Sequence, residues 1–167
     1  NKKWNYEDAE VELTLDTEDP AVKKTDLESL QDELGSYSTN AGWGERVQNL
    51  RRAAELINGT VVMPGEEFSV EQTTLPYTEE NGYVAGSAYE NGQIVESIGG
   101  GLCQVSTTLY NAVLYAELEV TQRASHSMSV SYVDTSRDAM IAEGISDFKF
   151  VNNYDTPILI EGYIDSN

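Results

Sequence analysis

The sequence predicts an α+β domain in which N-terminal helices and a central, cysteine-bearing helix pack on an antiparallel C-terminal β-meander. Three observations carry this: a helical period over 42–58, an apolar helix opened by three glycines at 99–101, and short strand-like runs separated by turn residues after 128. The 167 residues are enough to bury one good core, and 40% hydrophobic with 23% charged residues is ordinary globular usage.

From the N-terminus, Val11, Leu13 and Leu15 alternate as in a half-buried strand, and the polar, Pro20-containing stretch 16–25 reads as a linker. Thr25 and Glu28 have capping-box spacing for a short helix that Gly35 would end. Trp43, Val47, Leu50, Ala54 and Ile57 recur at three- and four-residue steps, which predicts an amphipathic helix over 42–58 stopped by Asn58-Gly59. Thr60–Met63 reads as a strand before the Pro64-Gly65 turn, and 66–86 as a surface loop. Asn91-Gly92 between two extended runs predicts a hairpin over 87–95. A helix then runs from 103 to about 117 with Val105, Leu109, Ala112, Val113 and Ala116 on its buried face. Runs at 128–133, 139–142, 147–151 and 157–163 read as the consecutive strands of the meander.

Twenty-nine acidic against ten basic side chains leave a net charge of -19, a field that repels nucleic acid and anionic lipid surfaces. The chain contains no apolar run long enough to span a bilayer. One cysteine excludes an internal disulfide, and one cysteine with one histidine falls short of a zinc ligand set, so neither a metal nor another cofactor is called for. No pair of carboxylates is singled out by spacing for glycoside cleavage.

The chemistry concentrates at Gly99-Gly-Gly-Leu-Cys-Gln-Val-Ser106. A thiol at Cys103, in the first turn of a helix, faces unpaired amides and the positive end of the helix dipole, which favour thiolate. Amides of Gly100 and Gly101 are candidate donors to an oxyanion, alongside the amide or side chain of Gln104. The plainer alternative is a flexible turn before a buried, inert cysteine. A cysteine nucleophile needs a base, and His126 is the only histidine. The helix carries the chain roughly 20 Å from Cys103, and eight extended residues cover about 26 Å back, so His126 can return to the helix start. For the group that orients the imidazole, two acids compete. A simple hairpin about 134–137 favours Asp147, whereas a longer folded loop brings Asp138 to the ring and Arg137 to a substrate carboxylate.

These residues resemble the VanW domain family, named for an accessory protein of glycopeptide-resistance clusters. The resemblance runs through Leu34-Gly-Ser-Tyr-Ser-Thr39, Ile57-Asn-Gly-Thr-Val-Val-Met-Pro-Gly-Glu66, Glu80-Asn-Gly-Tyr83, the Gly99–Asn111 block, His126-Ser127, Val130–Val133, Arg137-Asp-Ala139, Asp147–Phe150 and Pro157-Ile158. Ser127-Met-Ser129 departs from the family's more usual Ser-Leu-Pro. The resemblance implies a bacterial envelope protein on the cell-wall side, held to the membrane through a segment outside this chain. Residues 1–25 would then be the tail of a preceding module or linker, and 26–167 the catalytic domain. It further implies a peptidoglycan L,D-transpeptidase with Cys103 as nucleophile and His126 as base, acting on stem peptides, with Ser106 and Tyr83 of the matching blocks at the substrate site. Two other readings stand beside it: a non-catalytic peptidoglycan- or glycopeptide-binding module, and a papain-like cysteine peptidase or amidase, suggested by the order of helix-start cysteine and later histidine.

Overall fold

The computed structural model describes residues 18–90 and 93–165, so the strand expected at 6–15 lies outside the described residues. The class is α+β, and every paired strand is antiparallel. Helix α1 (Lys24–Leu27) is one turn long and buries nothing. Its box closes through the Asp26 carboxylate, which accepts from Lys23 N at 2.7 Å, two positions before the Thr25/Glu28 pair read from sequence. Gly35 ends no helix; a Cβ there would stand 2.5 Å from Ala112 O, because the chain crosses the central helix backbone to backbone at that point.

Helix α2 (Arg46–Ile57) buries Leu50, Ala53, Ala54 and Ile57, as its period predicts. It starts four residues later than expected, and Trp43 is 90% exposed, because Gly42 and Gly44 take positive φ and break the helix before it can form. Strand β1 (Thr60–Val62) pairs with β7 (Ile158–Ile160), and β2 (Glu67–Ser69) is followed directly by α3 (Val70–Thr74). The stretch 66–86 is therefore no surface loop: Phe68, Val70, Thr74 and Tyr83 are buried in it. Its apolar residues are too widely spaced to show a period, but each is a core anchor between short elements.

The hairpin forms from β3 (Ala85–Glu90) and β4 (Gln93–Ile98), paired out to Glu90 and Gln93, with the Asn91-Gly92 turn itself outside the described residues. Helix α4 (Cys103–Tyr115) leads into β5 (Glu119–Gln122), and β6 (Lys149–Val151) lies between β5 and β2 in a three-stranded sheet. The C-terminal strands thus draw partners from the first half of the chain. No ladder forms over 128–133, and 139–142 makes only single bridges, Ala124 with Met140 and Ala142 with Ser146. The core lies between α2, α4 and the sheets, where Phe148 packs against Phe150 and edge-on to Tyr110 of α4. Each such ring contributes about 1.5–3 kcal/mol by leaving water.

Candidate active site

The start of α4 is held by a glycine loop that cannot carry side chains. Gly99 and Gly101 have φ of 78° and 103°, and a Cβ on Gly100 would fall 2.0 Å from Gly86 O of β3. Asn49 of α2, fully buried, clamps the crossing: its Nδ2 donates to Val84 O and Gly100 O, both at 2.9 Å, and its Oδ1 accepts from Val84 N at 2.8 Å.

This clamp decides which amides are free. Gly100 N donates to Ser97 O and Gln104 N to Gly101 O, each at 2.9 Å, so neither is available to an oxyanion. The Gln104 side chain is also engaged. It is 2% exposed, accepts from Arg46 Nη2 at 2.9 Å and donates to Thr39 Oγ1 and Asn40 O. Among the described residues, the amides of Gly101 and Cys103 have no protein acceptor, and they flank the sulfur. Of the expected oxyanion donors, Gly101 keeps the geometry for it and Gly100 and Gln104 do not.

The face of α4 that packs on the next segment is polar. Asn111 Nδ2 donates to Arg137 O at 2.8 Å, Thr107 Oγ1 accepts from Ala139 N at 2.9 Å, and Cys103 Sγ donates to Ile141 O at 3.3 Å. Four helical residues rise about 6 Å and two extended residues about 6.6 Å, so side chains at 103, 107 and 111 meet alternate residues of 137–141 rung by rung. The helix accordingly buries Gln104, Ser106, Thr107, Asn111 and Val113, while Val105 and Leu109 are only partly buried.

The same extended segment presents Asp138 to His126. His126 Nδ1 and Asp138 Oδ2 are 2.6 Å apart, and the His126 amide donates to the same oxygen at 2.6 Å. Arg123 donates to Asp138 O at 2.7 Å and to Oδ1 at 3.2 Å, with its guanidinium stacked over Tyr110. Both side chains of the pair are enclosed, at 4% and 10% exposed, and the Tyr89 ring of the hairpin meets the imidazole edge-on. Burial opposes ionisation of Asp138, but the bonds from the His126 amide and ring outweigh it and hold the carboxyl below its ordinary value. An ionised Asp138 requires the proton on Nδ1, which leaves Nε2 as the basic nitrogen.

Cys103 departs from its expected electrostatics. Burial pushes its thiol up from the ordinary value, and the Asp138 charge adds to the effect. Desolvation outweighs the helix dipole here. The Asp138 charge that acts on Cys103 also sits on His126, so the thiol, the carboxylate and the imidazole share one neighbourhood. Tyr132 belongs to it as well: burial pushes its hydroxyl up, and the Cys103 sulfur works in the same direction.

The remaining predicted site residues lie in other surroundings. Asp147 accepts from Ser69 Oγ, Glu71 N and Phe148 N, and so caps α3 rather than the imidazole. The hairpin geometry that favoured it does not form: 134–137 closes a tight turn, with Arg137 N donating to Asp134 O at 3.1 Å, but no ladder forms over 128–133, and Met140 bridges to Ala124 instead. The Arg137 guanidinium stacks on Tyr37 and Tyr115 at the far end of α4, away from the thiol. Tyr83 is 1% exposed, its hydroxyl donates to Thr74 O at 2.7 Å, and burial pushes it up to about 12, which makes it a core residue. Ser106 is fully buried, and its hydroxyl has no partner among the described residues. Sequence reasoning missed Arg46, Asn49, Thr107, Arg123 and Tyr132. The four-residue spacing of Cys103, Thr107 and Asn111 was the available signal for the rungs.

No group of three or more His, Cys, Asp or Glu side chains is placed to hold a metal among the described residues. The family model described as VanW like protein matches residues 45–167. The chain is similar to YoaR of Bacillus subtilis, an uncharacterized protein, with 43% identity over 130 residues, covering 77% of this chain and 43% of that one. It is also similar to the vancomycin B-type resistance protein VanW of Enterococcus faecalis, with 32% identity over 129 residues, covering 71% of this chain and 47% of the relative. The chain spans less than half the length of these two relatives. No solved structure matches it.

Proposed function

Because the chain belongs to the VanW family, we propose that it is a cysteine-dependent L,D-transpeptidase acting on the stem peptides of bacterial peptidoglycan. The observation that carries the reading is the His126–Asp138 pair on the segment that also bonds the single thiol through Ile141 O, with two free amides at the helix start. In the first step His126 Nε2 takes the thiol proton as Sγ forms a bond to the carbonyl carbon of the third stem residue. The oxyanion faces the amides of Gly101 and Cys103. The C–N bond to the terminal D-alanine then breaks, its nitrogen leaves with the proton from His126, and a thioester remains. The side-chain amine of a third residue on another stem attacks that thioester, gives its proton to His126, and the C–S bond breaks to return the thiol. The product is a 3-3 cross-link; water in place of the amine gives carboxypeptidase action. Since the resting sulfur is a thiol, proton transfer belongs to the attack rather than preceding it.

The site would work on the wall side of the cell envelope, with any anchor outside the described residues, none of whose helices is long and apolar enough to cross a membrane. Incubation with purified disaccharide-tetrapeptides, followed by mass spectrometry, should yield cross-linked dimers and free D-alanine. Persistence of those dimers in Cys103→Ala would remove the enzyme reading. One observation favours the non-catalytic binding module instead: Cys103 is protonated and bonded to Ile141 O. In that case the tetrapeptides bind and return unchanged.

A further inference from the structure

Arg46 opens α2 and reaches over the glycine loop, where its Nη1 donates to Ala41 O and its Nη2 to Gln104 Oε1, each at 2.9 Å. Two bonds leave three of the five guanidinium N–H groups unused. The Nε–Nη2 edge faces Gly101: a Cβ on that glycine would lie 3.2 Å from Nε and 3.1 Å from Nη2. The missing side chain at 101 therefore keeps a Cβ off the fork edge, the edge that grips a carboxylate with two parallel bonds.

The charge surroundings are as telling. Acidic side chains outnumber basic ones 29 to 10, and Lys23, Lys24, Arg52, Arg123 and Lys149 each have an acidic partner within 4.0 Å. Among the described residues Arg46, Arg51 and Arg137 form no ion pair; Arg51 is exposed and Arg137 lies against two tyrosine rings, whereas Arg46 is half-buried at the glycine loop. A half-buried cation without a counter-charge in so acidic a chain is held for an anion that arrives from outside.

We infer that Arg46 is the recognition site for a carboxylate of the stem peptide, the C-terminal carboxylate of the departing residue. The inference rests on the cell-wall reading and gives it a specificity. That carboxylate follows the scissile carbonyl by one residue, about 3.8 Å of chain, and the fork lies against Gly101, two residues before Cys103 on the same loop. The α-carboxylate of a diamino acid at stem position 3 presents the same chemistry, and the test separates the two.

Binding of three synthetic stem tetrapeptides to the Cys103→Ala chain would be measured by calorimetry: the free acid, its C-terminal amide, and the free acid with the diamino carboxylate amidated. Terminal amidation should weaken binding about 10- to 100-fold, as expected for loss of a bidentate charged contact. Arg46→Gln should weaken the free acid by a similar factor and leave the amide unchanged, bringing their ratio to about one. Arg46→Lys should recover part of the ratio. A loss confined to the diamino-carboxylate arm, abolished equally by Arg46→Gln, keeps the carboxylate site and moves it to stem residue 3. Equal binding of all three peptides by the chain with Arg46 intact overturns the inference, whether or not the variants fold. So does a ratio that survives in Arg46→Gln. Equal binding with Cys103-dependent turnover intact sinks Arg46 alone, whereas discrimination without any such turnover removes the enzyme reading and leaves Arg46 standing.

Discussion

One oxygen of Asp138 holds His126 twice: Oδ2 accepts from the backbone amide and from ring Nδ1, both at 2.6 Å. A side chain gripped at its own backbone and at its ring loses rotational freedom about both torsions between them. The imidazole is thereby fixed in direction and in tautomer.

Asp138→Asn should preserve the shape but reverse the logic of the ring, since an amide oriented to satisfy the His126 amide no longer stabilises an imidazolium. Turnover of tetrapeptide should fall about 10²- to 10⁴-fold, the usual worth of general acid–base assistance, with little change in KM. Asp147→Ala should do the opposite. It removes the acceptor of Ser69, Glu71 and Phe148 and should lower stability by about 1–3 kcal/mol while sparing kcat in the fraction that is folded. Equal kinetic losses in the two variants would contradict the assignment of the carboxylates.

Acid should unfasten the same pair. A carboxyl held below its unfolded value contributes stability that is complete above that value, about 3.9, and is lost as pH falls through the folded one. Thermal melts of the wild-type chain should therefore show Tm declining below about pH 4. The Asp138→Asn chain should be less stable near neutrality and show a shallower acid decline; parallel curves for the two would remove Asp138 from the acid transition.

For the sulfur, the direction of the shift sets the pH profile. Because burial raises the Cys103 thiol, its alkylation by iodoacetamide should be slower at pH 7 than that of a free cysteine and should still be climbing tenfold per pH unit beyond pH of about 8.5, where an ordinary thiol levels off. A plateau at or below neutrality would mean a preformed thiolate and a different mechanism.

Asn49 touches no candidate catalytic atom, yet it joins α2, the hairpin entry and the glycine loop through three buried hydrogen bonds. Asn49→Leu leaves Val84 N and Gly100 O without partners, Val84 O keeping only its bond from Gly99 N, and should destabilise the fold by about 3 kcal/mol in urea titration. A change under about 0.5 kcal/mol would show that the clamp is dispensable.

The helices were legible where a period of three or four apolar residues survives, as with Leu50, Ala54 and Ile57, and the hairpin from its Asn-Gly turn. The stretch 66–86 was not, because Phe68, Val70 and Tyr83 are single anchors spaced by turns and no window of them has a period. Strand partnership was hidden for another reason: β6 lies between β5 and β2, and nothing local to β6 encodes a partner 80 residues upstream. The thiol and imidazole were legible as the lone members of their kinds. The choice of Asp138 was not, since the tight turn at 134–137 forms but the strands expected on either side of it do not pair, and Met140 bridges to Ala124 instead. Arg46 and Asn49 carried no signal, because the partners that give them their place, the Gln104 side chain and Gly100 O, lie far along the chain.

The ladder joining Cys103, Thr107 and Asn111 to residues 137–141 gives the sulfur a holster. In the proposed reaction Sγ must let go of Ile141 O, so the topmost rung would open as chemistry begins and close when the thiol is returned. While that rung is closed the thiol is sheathed, and peroxides, which attack thiolate, find little of it. The arrangement that makes this cysteine slow at rest also keeps it intact in an oxidising environment.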